Sequence, residues 1–467
     1  MSQKRPQTSG TPKVRRVRLG SKRAPGWEKQ RAGKRVRRPR VAGLRIGKAD
    51  ASLSGVGGLV SFEQYAQSEG IERELRAKFG HLKEGRQVVY PMASQLSLLL
   101  DAFAVGARRV FDFEGLAADP VFTYLAGGAV PSIDVLYDDL KRFEGDELNA
   151  LERMMSEQGL RLVRAGTYRK YKRLTIDVDT TVMPLFGEQE GAARGYNPRH
   201  HGRPSYHPRL ARIAETQTIC GARLRYGDTA LGDTDVEDIQ DWLTRVQAAA
   251  PRAVLTVRID AGGDNAAFFK AIDEKGAYFL IKLRQTKGLL DAVYARKRWR
   301  TVDEDANGTP SRQVAELDFR REDWPKGRYR VFAVRTNERV SGKQTELWAD
   351  NDFSVHVYVT NDWDRDLDEL ARLYDDRAGI EPMIAELKNG FAIGKVSTSS
   401  FQANEAAFLL KLLAYNLVQR WVVATCPAEC HRWSASWIRR AFLLVPARLL
   451  RSGGRWVLRT APRPMRN

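Results

Sequence analysis

From Ser52 to about Arg164 apolar side chains recur at helical spacing, as in Leu96, Leu98, Leu99, Leu100, Phe103 and Val105, so this part of the chain is predicted to be helical. Within it Ser132 stands ahead of Ile-Asp-Val-Leu-Tyr-Asp138. A capping side chain before an apolar stripe with acids in its first turns predicts a helix starting near Ser132. After Thr167 the signals alternate. Residues 174–183 are rich in β-branched side chains and predict a strand, 213–219 and 222–226 a following pair, and 236–249 a helix. A short buried strand over 254–259, a helix over 266–274 and a strand over 278–282 follow. That succession predicts an α/β fold, a mixed sheet with helices on both faces. Between residues 284 and 361 every signal is for strand, which reads as a β-rich insertion, and helices are expected again over 367–389 and 404–424. No internal repeat is evident.

With 467 residues and 43% hydrophobic content, the chain is too long for one ordinary core of about 100 to 200 residues. The pattern divides it into a basic tail over 1–50, a helical domain over 51–165 and the first part of an α/β core over 166–283. The insertion over 284–361, a helical last part of the core over 362–425 and a basic end over 426–467 complete the layout. A membrane span is not expected, because the longest apolar run, 406–426, is interrupted by Lys411, Gln419 and Arg420. The start has no apolar run of the secretory kind, and the three cysteines, Cys220, Cys426 and Cys430, suit a reducing cytosol. The net charge is +20, unevenly placed: residues 1–48 hold 17 Lys/Arg against Glu28 alone, giving +16, and the rest holds 60 minus 56, or +4. A segment so charged and so poor in apolar residues cannot offset its ordering entropy, so the tail is expected to be disordered and drawn to a polyanion. The helical domain fits either a DNA reader of the helix-turn-helix kind or a packing domain, since periodicity alone does not separate them.

Asp177 and Asp179 fall mid-strand, where a charge is costly to bury without a compensating cation, and alternation puts both on one face. Asp260 follows the buried run 254–259 and precedes Gly262 and Gly263, at the carboxyl end of a strand, where open α/β sheets bind ligands. Each acid taken singly fits the cap of a following turn equally well. Tyr374, Arg377, Glu381 and Lys388 lie at offsets 0, 3, 7 and 14, and a continuous helix would gather all four within about 60° of arc while turning Glu386 away. One acid for metal beside Tyr, Arg and Lys donors for phosphate oxygens is a combination suited to phosphoryl chemistry. Pro382 should kink this helix or mark its start near Glu381.

These residues carry a resemblance. Asp179-Thr180-Thr181 on a first strand, Asp260 after a later one, and Tyr-x2-Arg-x3-Glu-x6-Lys over 374–388 resemble the DDE transposases of bacterial insertion sequences. The block from Glu190 to Pro208, and Glu386-Leu-Lys-Asn-Gly-Phe391 with the helical stretch behind it, look like insertion sequence family 1380. The likeness covers about residues 174–421 and is less full at Arg258-Ile-Asp260-Ala-Gly262-Gly263, where that family often has an aromatic after the glycine. It implies an RNase H-like catalytic core with an insertion domain and cut-and-paste movement of DNA. It also implies Asp179, rather than Asp177, as the partner of Asp260 and Glu381 in holding metal, because of the Asp-Thr-Thr pattern. Tyr374, Arg377 and Lys388 would then position phosphates.

Cleaving a phosphodiester puts negative charge on both the attacking and the leaving oxygen, and two divalent ions about 3.5 to 4 Å apart stabilise both. Three carboxylates suit Mg²⁺, with Mn²⁺ accepted by the same set. The partners this implies are the element's terminal inverted repeats and a double-stranded target, bound by a homodimer at the nucleoid of a bacterial cytoplasm. The alternatives are a metal-dependent nuclease of the same fold that cannot join ends, and a non-enzymatic DNA-binding protein. His200, His201 and His207 lack the paired cysteines or helical spacing of a zinc site, so the basic segment 194–209, with Arg199 and Arg203, reads as a DNA-contacting loop. Cys426, Cys430 and His431 have no second ligand pair. Trp299, Trp324, Trp348 and Trp363 fit the core of a β-rich unit better than a base-stacking platform.

Overall fold

The computed structural model describes residues 48–165, 171–197, 200–337, 353–396 and 398–461, so nearly all of the basic tail lies outside the described residues. A two-residue strand, β1 (Leu53–Ser54), leads into helices α1 (Leu59–Ser68), α2 (Ile71–Phe79), α3 (Met92–Val105), α4 (Phe113–Ala117), α5 (Pro120–Leu125), α6 (Ile133–Leu140) and α7 (Gly145–Arg164). Ser132 accepts from the Val135 amide ahead of α6, the cap that the sequence predicts there.

The chain then alternates through β2 (Arg173–Thr180), β3 (Met183–Pro184), β4 (Ser205–Tyr206), β5 (Arg209–Ile213), β6 (Thr218–Arg223), α8 (Val236–Ala249), β7 (Val254–Ile259), α9 (Ala266–Glu274) and β8 (Tyr278–Lys282). Next come α10 (Lys287–Ala295), β9 (Arg300–Glu304), β10 (Pro310–Leu317), β11 (Arg330–Asn337) and β12 (Phe353–Thr360). Nine of the described strands form one mixed sheet in the order β6-β5-β2-β7-β8-β12-β11-β10-β9. Strands β2, β7 and β8 are parallel neighbours, and parallel pairing needs the crossover that α9 supplies between β7 and β8. The strand pair expected at 213–219 and 222–226 runs instead at Arg209–Ile213 and Thr218–Arg223. The turn falls between them, with Gln217 at φ 58, because alternation marks strand residues but not the point where the chain reverses.

The stretch expected to be a β-rich insertion is not a sheet of its own. Strand β12 pairs with β8 through Tyr358–Lys282, Val359–Ile281 and Thr360–Leu280, so β9 to β12 continue the central sheet. The stretch also contains α10, a helix that the all-strand reading misses; Thr286 caps it, and Leu289 and Val293, four apart, are its buried stripe.

The chain ends with α11 (Leu367–Asp375), a 3-10 turn (Asp376–Gly379), α12 (Ile380–Gly390), α13 (Phe401–Thr425), α14 (Ala435–Ile438) and the hairpin β13 (Ala447–Ser452) and β14 (Arg455–Thr460). Contrary to the sequence expectation, α13 is long and apolar enough to cross a membrane, but 89% of its most apolar window is buried inside the protein, which makes it a core helix. Lys411 within it donates to the Ala392 and Lys395 carbonyls, which is how a lysine is tolerated there. One apolar core joins α1 to α7 with α12, α13 and β13, through residues such as Phe62, Leu99, Leu151, Leu387, Leu413 and Leu449. A second, with Ile176, Trp242, Val257, Phe268 and Phe279, lies between the sheet and helices α8 and α9. Packing therefore does not respect the expected borders at 165 and 425: the helical region, the last core helices and the basic end share one interior.

Gly221 on β6 marks a close approach. A Cβ there would lie 2.2 Å from the indole of Trp242 on α8, whose Nε1 donates to buried Glu152. We expect Gly221→Ala to cost about 1 to 3 kcal/mol by overpacking, read as a lowered melting temperature in calorimetry.

Candidate active site

Register places two of the predicted acids side by side. Strands β2 and β7 are paired in parallel up to the Val178–Ile259 rung, so Asp179 and Asp260 are the next residues at the carboxyl ends of neighbouring strands. Asp260 accepts from the Gly262 amide at 2.8 Å, capping the short turn that leaves the strand, and Asp179 accepts from the Thr180 amide at 2.8 Å. Arg377, buried in the 3-10 turn, brings its guanidinium to 3.3 Å from Asp179. Burial pushes the Asp179 carboxyl up to about 6; Arg377 opposes this, and the charges of Asp260 and Glu381 add to it. Both of the other predicted acids therefore bear electrostatically on Asp179.

Asp177, two residues earlier on the same face, has a different environment. It is fully buried, and the residues directly opposite it on the flanking strands are Arg212 on β5 and Arg258 on β7. Arg212 Nε donates to one carboxylate oxygen at 2.8 Å; Arg258 donates Nε to the other at 2.6 Å and a terminal nitrogen to the first at 3.0 Å. Each arginine has a further arm. Arg212 donates to the Gly379 carbonyl at 2.6 Å, and Arg258 donates to the Leu373 carbonyl. A network centred on Asp177 thus ties the 373–379 segment to the sheet, and that segment carries Tyr374 and Arg377 and leads into Glu381.

The continuous helix expected to align Tyr374, Arg377, Glu381 and Lys388 is broken by the 3-10 turn, and Pro382 sits in the first turn of α12, so the helical-arc arithmetic does not hold across the break. The four residues still converge on the end of β2. Tyr374, its ring 4.4 Å from that of Tyr358, has its hydroxyl pushed up to about 12 by burial, with Asp260 and Asp179 adding to the shift. Glu381 is exposed in the first turn of α12, and Lys388 donates to the Val182 carbonyl at 3.0 Å. Glu386 turns away to accept from the Ala435 amide. Arg203 lies over the Phe186 ring at 4.5 Å, while Arg199 and Trp348 are outside the described residues. His207 is buried against the Tyr196 carbonyl, and Trp324 is core, whereas Trp363 is half exposed.

Sequence reasoning missed Arg212, Arg258 and Lys282. The first two were visible as arginines inside otherwise apolar strands, positions at which a buried acid partner is required. Lys282, at the end of β8, has its pKa lowered by burial while Asp260 acts to raise it, which places the lysine beside the same sheet edge.

Among the described residues no three Asp, Glu, His or Cys side chains are drawn together into a ready ligand cluster. The donors nevertheless fit a hard divalent cation. They are carboxylate oxygens, and Asp179 is held short of full ionisation by burial and by two acids, a strain that Arg377 relieves only in part. Protons and cation should then compete for Asp179. We expect Mn²⁺ affinity, followed by titration calorimetry, to rise up to about tenfold per pH unit towards pH 6 and to level off above it. Because this carboxyl titrates higher folded than unfolded, its own effect on stability is opposite in sign to that of a paired acid: stability declines as pH rises from its ordinary value of 3.8 to about 6.

A family model described as transposase DDE domain group 1 matches residues 41–463. The chain belongs to this transposase family. No curated protein matches it significantly. Among solved structures, this transposase is similar to the piggyBac transposase synaptic complex with hairpin DNA, at 10% identity and TM-score 0.43, over 82% of this chain and 79% of that one. It is also similar to the Drosophila P element transposase strand transfer complex, at 14% identity and TM-score 0.23, over 45% of this chain and 43% of that one. A third is the Mos1 mariner paired end complex with Mn, at 12% identity and TM-score 0.15, over 48% and 75%.

Proposed function

We propose that this transposase cleaves phosphodiesters at the terminal inverted repeats of its element and joins the freed 3′-hydroxyl to target DNA, a cut-and-paste reaction at the edge formed by Asp179, Asp260 and Glu381. The observation that carries this is the placement of Asp179 and Asp260 at adjacent ends of parallel strands, with Glu381 close enough to raise the Asp179 pKa. Those three acids would hold Mg²⁺ or Mn²⁺, two ions in the full reading, and the ions would stabilise charge on the attacking and leaving oxygens. Arg377 keeps the Asp179 carboxylate oriented and offers a guanidinium to a phosphate at the same edge. Tyr374 and Lys388 flank it as hydroxyl and ammonium donors, and the basic sequence segment 194–209, with Arg199 and Arg203, would track the DNA backbone.

The strand order β6-β5-β2-β7-β8, three antiparallel neighbours followed by two parallel ones, supports reading residues 166–283 and 362–425 as the RNase H-like core of this enzyme, with 284–361 as its β extension. Membership of insertion sequence family 1380, a homodimer that pairs two element ends, and a nucleoid location in the bacterial cytoplasm belong to the same proposal. The test is a labelled terminal-repeat duplex incubated with purified protein and Mg²⁺. Nicking at the repeat end followed by joining supports the reading; nicking without joining makes the protein a nuclease, and binding without either makes it a DNA-binding protein alone.

A further inference from the structure

The basic end of the chain holds a second feature that the acid edge does not use. After Glu429 the sequence contains nine arginines and no acid, and the hairpin β13 and β14 lies in this stretch. Its rungs are Ala447–Thr460, Arg448–Arg459, Leu449–Leu458, Leu450–Val457, Arg451–Trp456 and Ser452–Arg455, closed by Gly453 and Gly454 at φ +57 and +78, the two-residue turn that only glycine-like residues accept readily.

Alternation sorts these side chains onto two faces. Ala447 and Leu449 are buried, and Leu449 joins the large helical core, so that face looks inward. The opposite face carries Arg448, Arg455 and Arg459 around Leu450 and Val457, and all three arginines are exposed. Arg448 and Arg459 stand directly across from each other, a like-charge rung that disfavours the bare hairpin. Asp50 pairs with Arg448, but among the described residues no ion pair reaches Arg455 or Arg459. The ribbon is also held firmly: β1 pairs with β13, the Ser54 hydroxyl donates to Asp119 at 2.8 Å, and the exposed Trp456 rests on Tyr124 with ring centres 5.5 Å apart.

A hairpin anchored at its base by β1 and two-stranded beyond it, with one cationic face, suits duplex DNA in charge and in width. The major groove admits a β-ribbon, and arginine forks pair with phosphate oxygens. We propose that the β13–β14 ribbon is a DNA-contacting surface additional to the acid edge, with Arg448, Arg455 and Arg459 laid on duplex phosphates. This rests on the reading that the protein acts on DNA, but not on the chemistry assigned to it.

The test compares the full chain with the triple variant Arg448→Gln, Arg455→Gln, Arg459→Gln, in fluorescence anisotropy on a ~30-bp duplex from about 50 to 300 mM KCl. Each lost phosphate contact should make the slope of log affinity against log salt shallower by about 0.9, so the triple variant should lose about 2 to 3. A matched triple on exposed helix faces, Arg73→Gln, Arg76→Gln, Lys270→Gln, should keep the wild-type slope. An unchanged slope in the ribbon variant, or an equal loss in the matched one, would overturn the proposal. So would ribbon-dependent binding to phosphatidylserine vesicles without a response to duplex. If the triple variant melts early, Arg459→Gln alone should still lose about 0.9. Wild-type cleavage of the terminal repeat, measured alongside, reports on the acid edge separately: normal binding without cleavage sinks that reading and leaves the ribbon standing.

Discussion

Asp179→Asn, Asp260→Asn and Glu381→Gln are each expected to lower end cleavage and joining by on the order of a thousandfold or more, several kcal/mol of charge stabilisation, while duplex binding stays near wild type. The three acids belong to three separate elements, β2, the turn after β7 and the first turn of α12, and each variant keeps the side-chain shape. For Asp179 a second outcome distinguishes the role from scaffolding. Its carboxyl is buried and repelled by two acids, so neutralising it should leave the melting temperature unchanged or raised. A strongly destabilised Asp179→Asn protein, or one that still cleaves, would remove it from the site.

Two residues away the sign reverses. Asp177→Ala leaves Arg212 and Arg258 buried and uncompensated, for which the expected loss is about 3 to 5 kcal/mol in denaturant unfolding. Milder changes probe what the network does for the site. Arg212→Lys and Arg258→Lys keep the charge beside Asp177 but give up the fork that reaches Gly379 and Leu373, so amides of the 373–381 segment should exchange hydrogen faster while those of β5 and β7 do not. Uniform exchange across the protein would assign the network to stability alone.

The contrast between Asp177 and Asp179 shows what the sequence could and could not settle. Both lie on one face of one strand, and alternation treats them alike; the pairing register, with arginines directly opposite Asp177 and the strand end beyond Asp179, separates an acid clamped between two strand arginines from one at the edge that meets Arg377 alone. Strand and helix types along 174–282 were legible because each buried strand is short and each helix has a clear apolar stripe. The reversal at Gln217 and the break before Glu381 were not, since a left-handed residue and a 3-10 turn are chosen by tertiary contacts. The Tyr374 to Lys388 group was singled out by its chemistry, and the structure keeps Arg377 and Lys388 near the end of β2 although the helix that justified the grouping does not exist as one piece. The core shared by the helical region, the last helices and the basic end was not legible for a related reason: a helix such as α13, apolar all round, gives no sign in its own residues of which neighbours will surround it.

Strand β1 pairing with β13 fastens the beginning of the described chain to its finish. An element copy carrying a stop codon just after Glu429 would therefore lose more than a basic appendage. The amino-terminal helices would be left with an unpaired strand and uncovered apolar surface, so such a copy should be cleared by proteolysis, and should not persist as a shortened DNA binder able to interfere with intact copies.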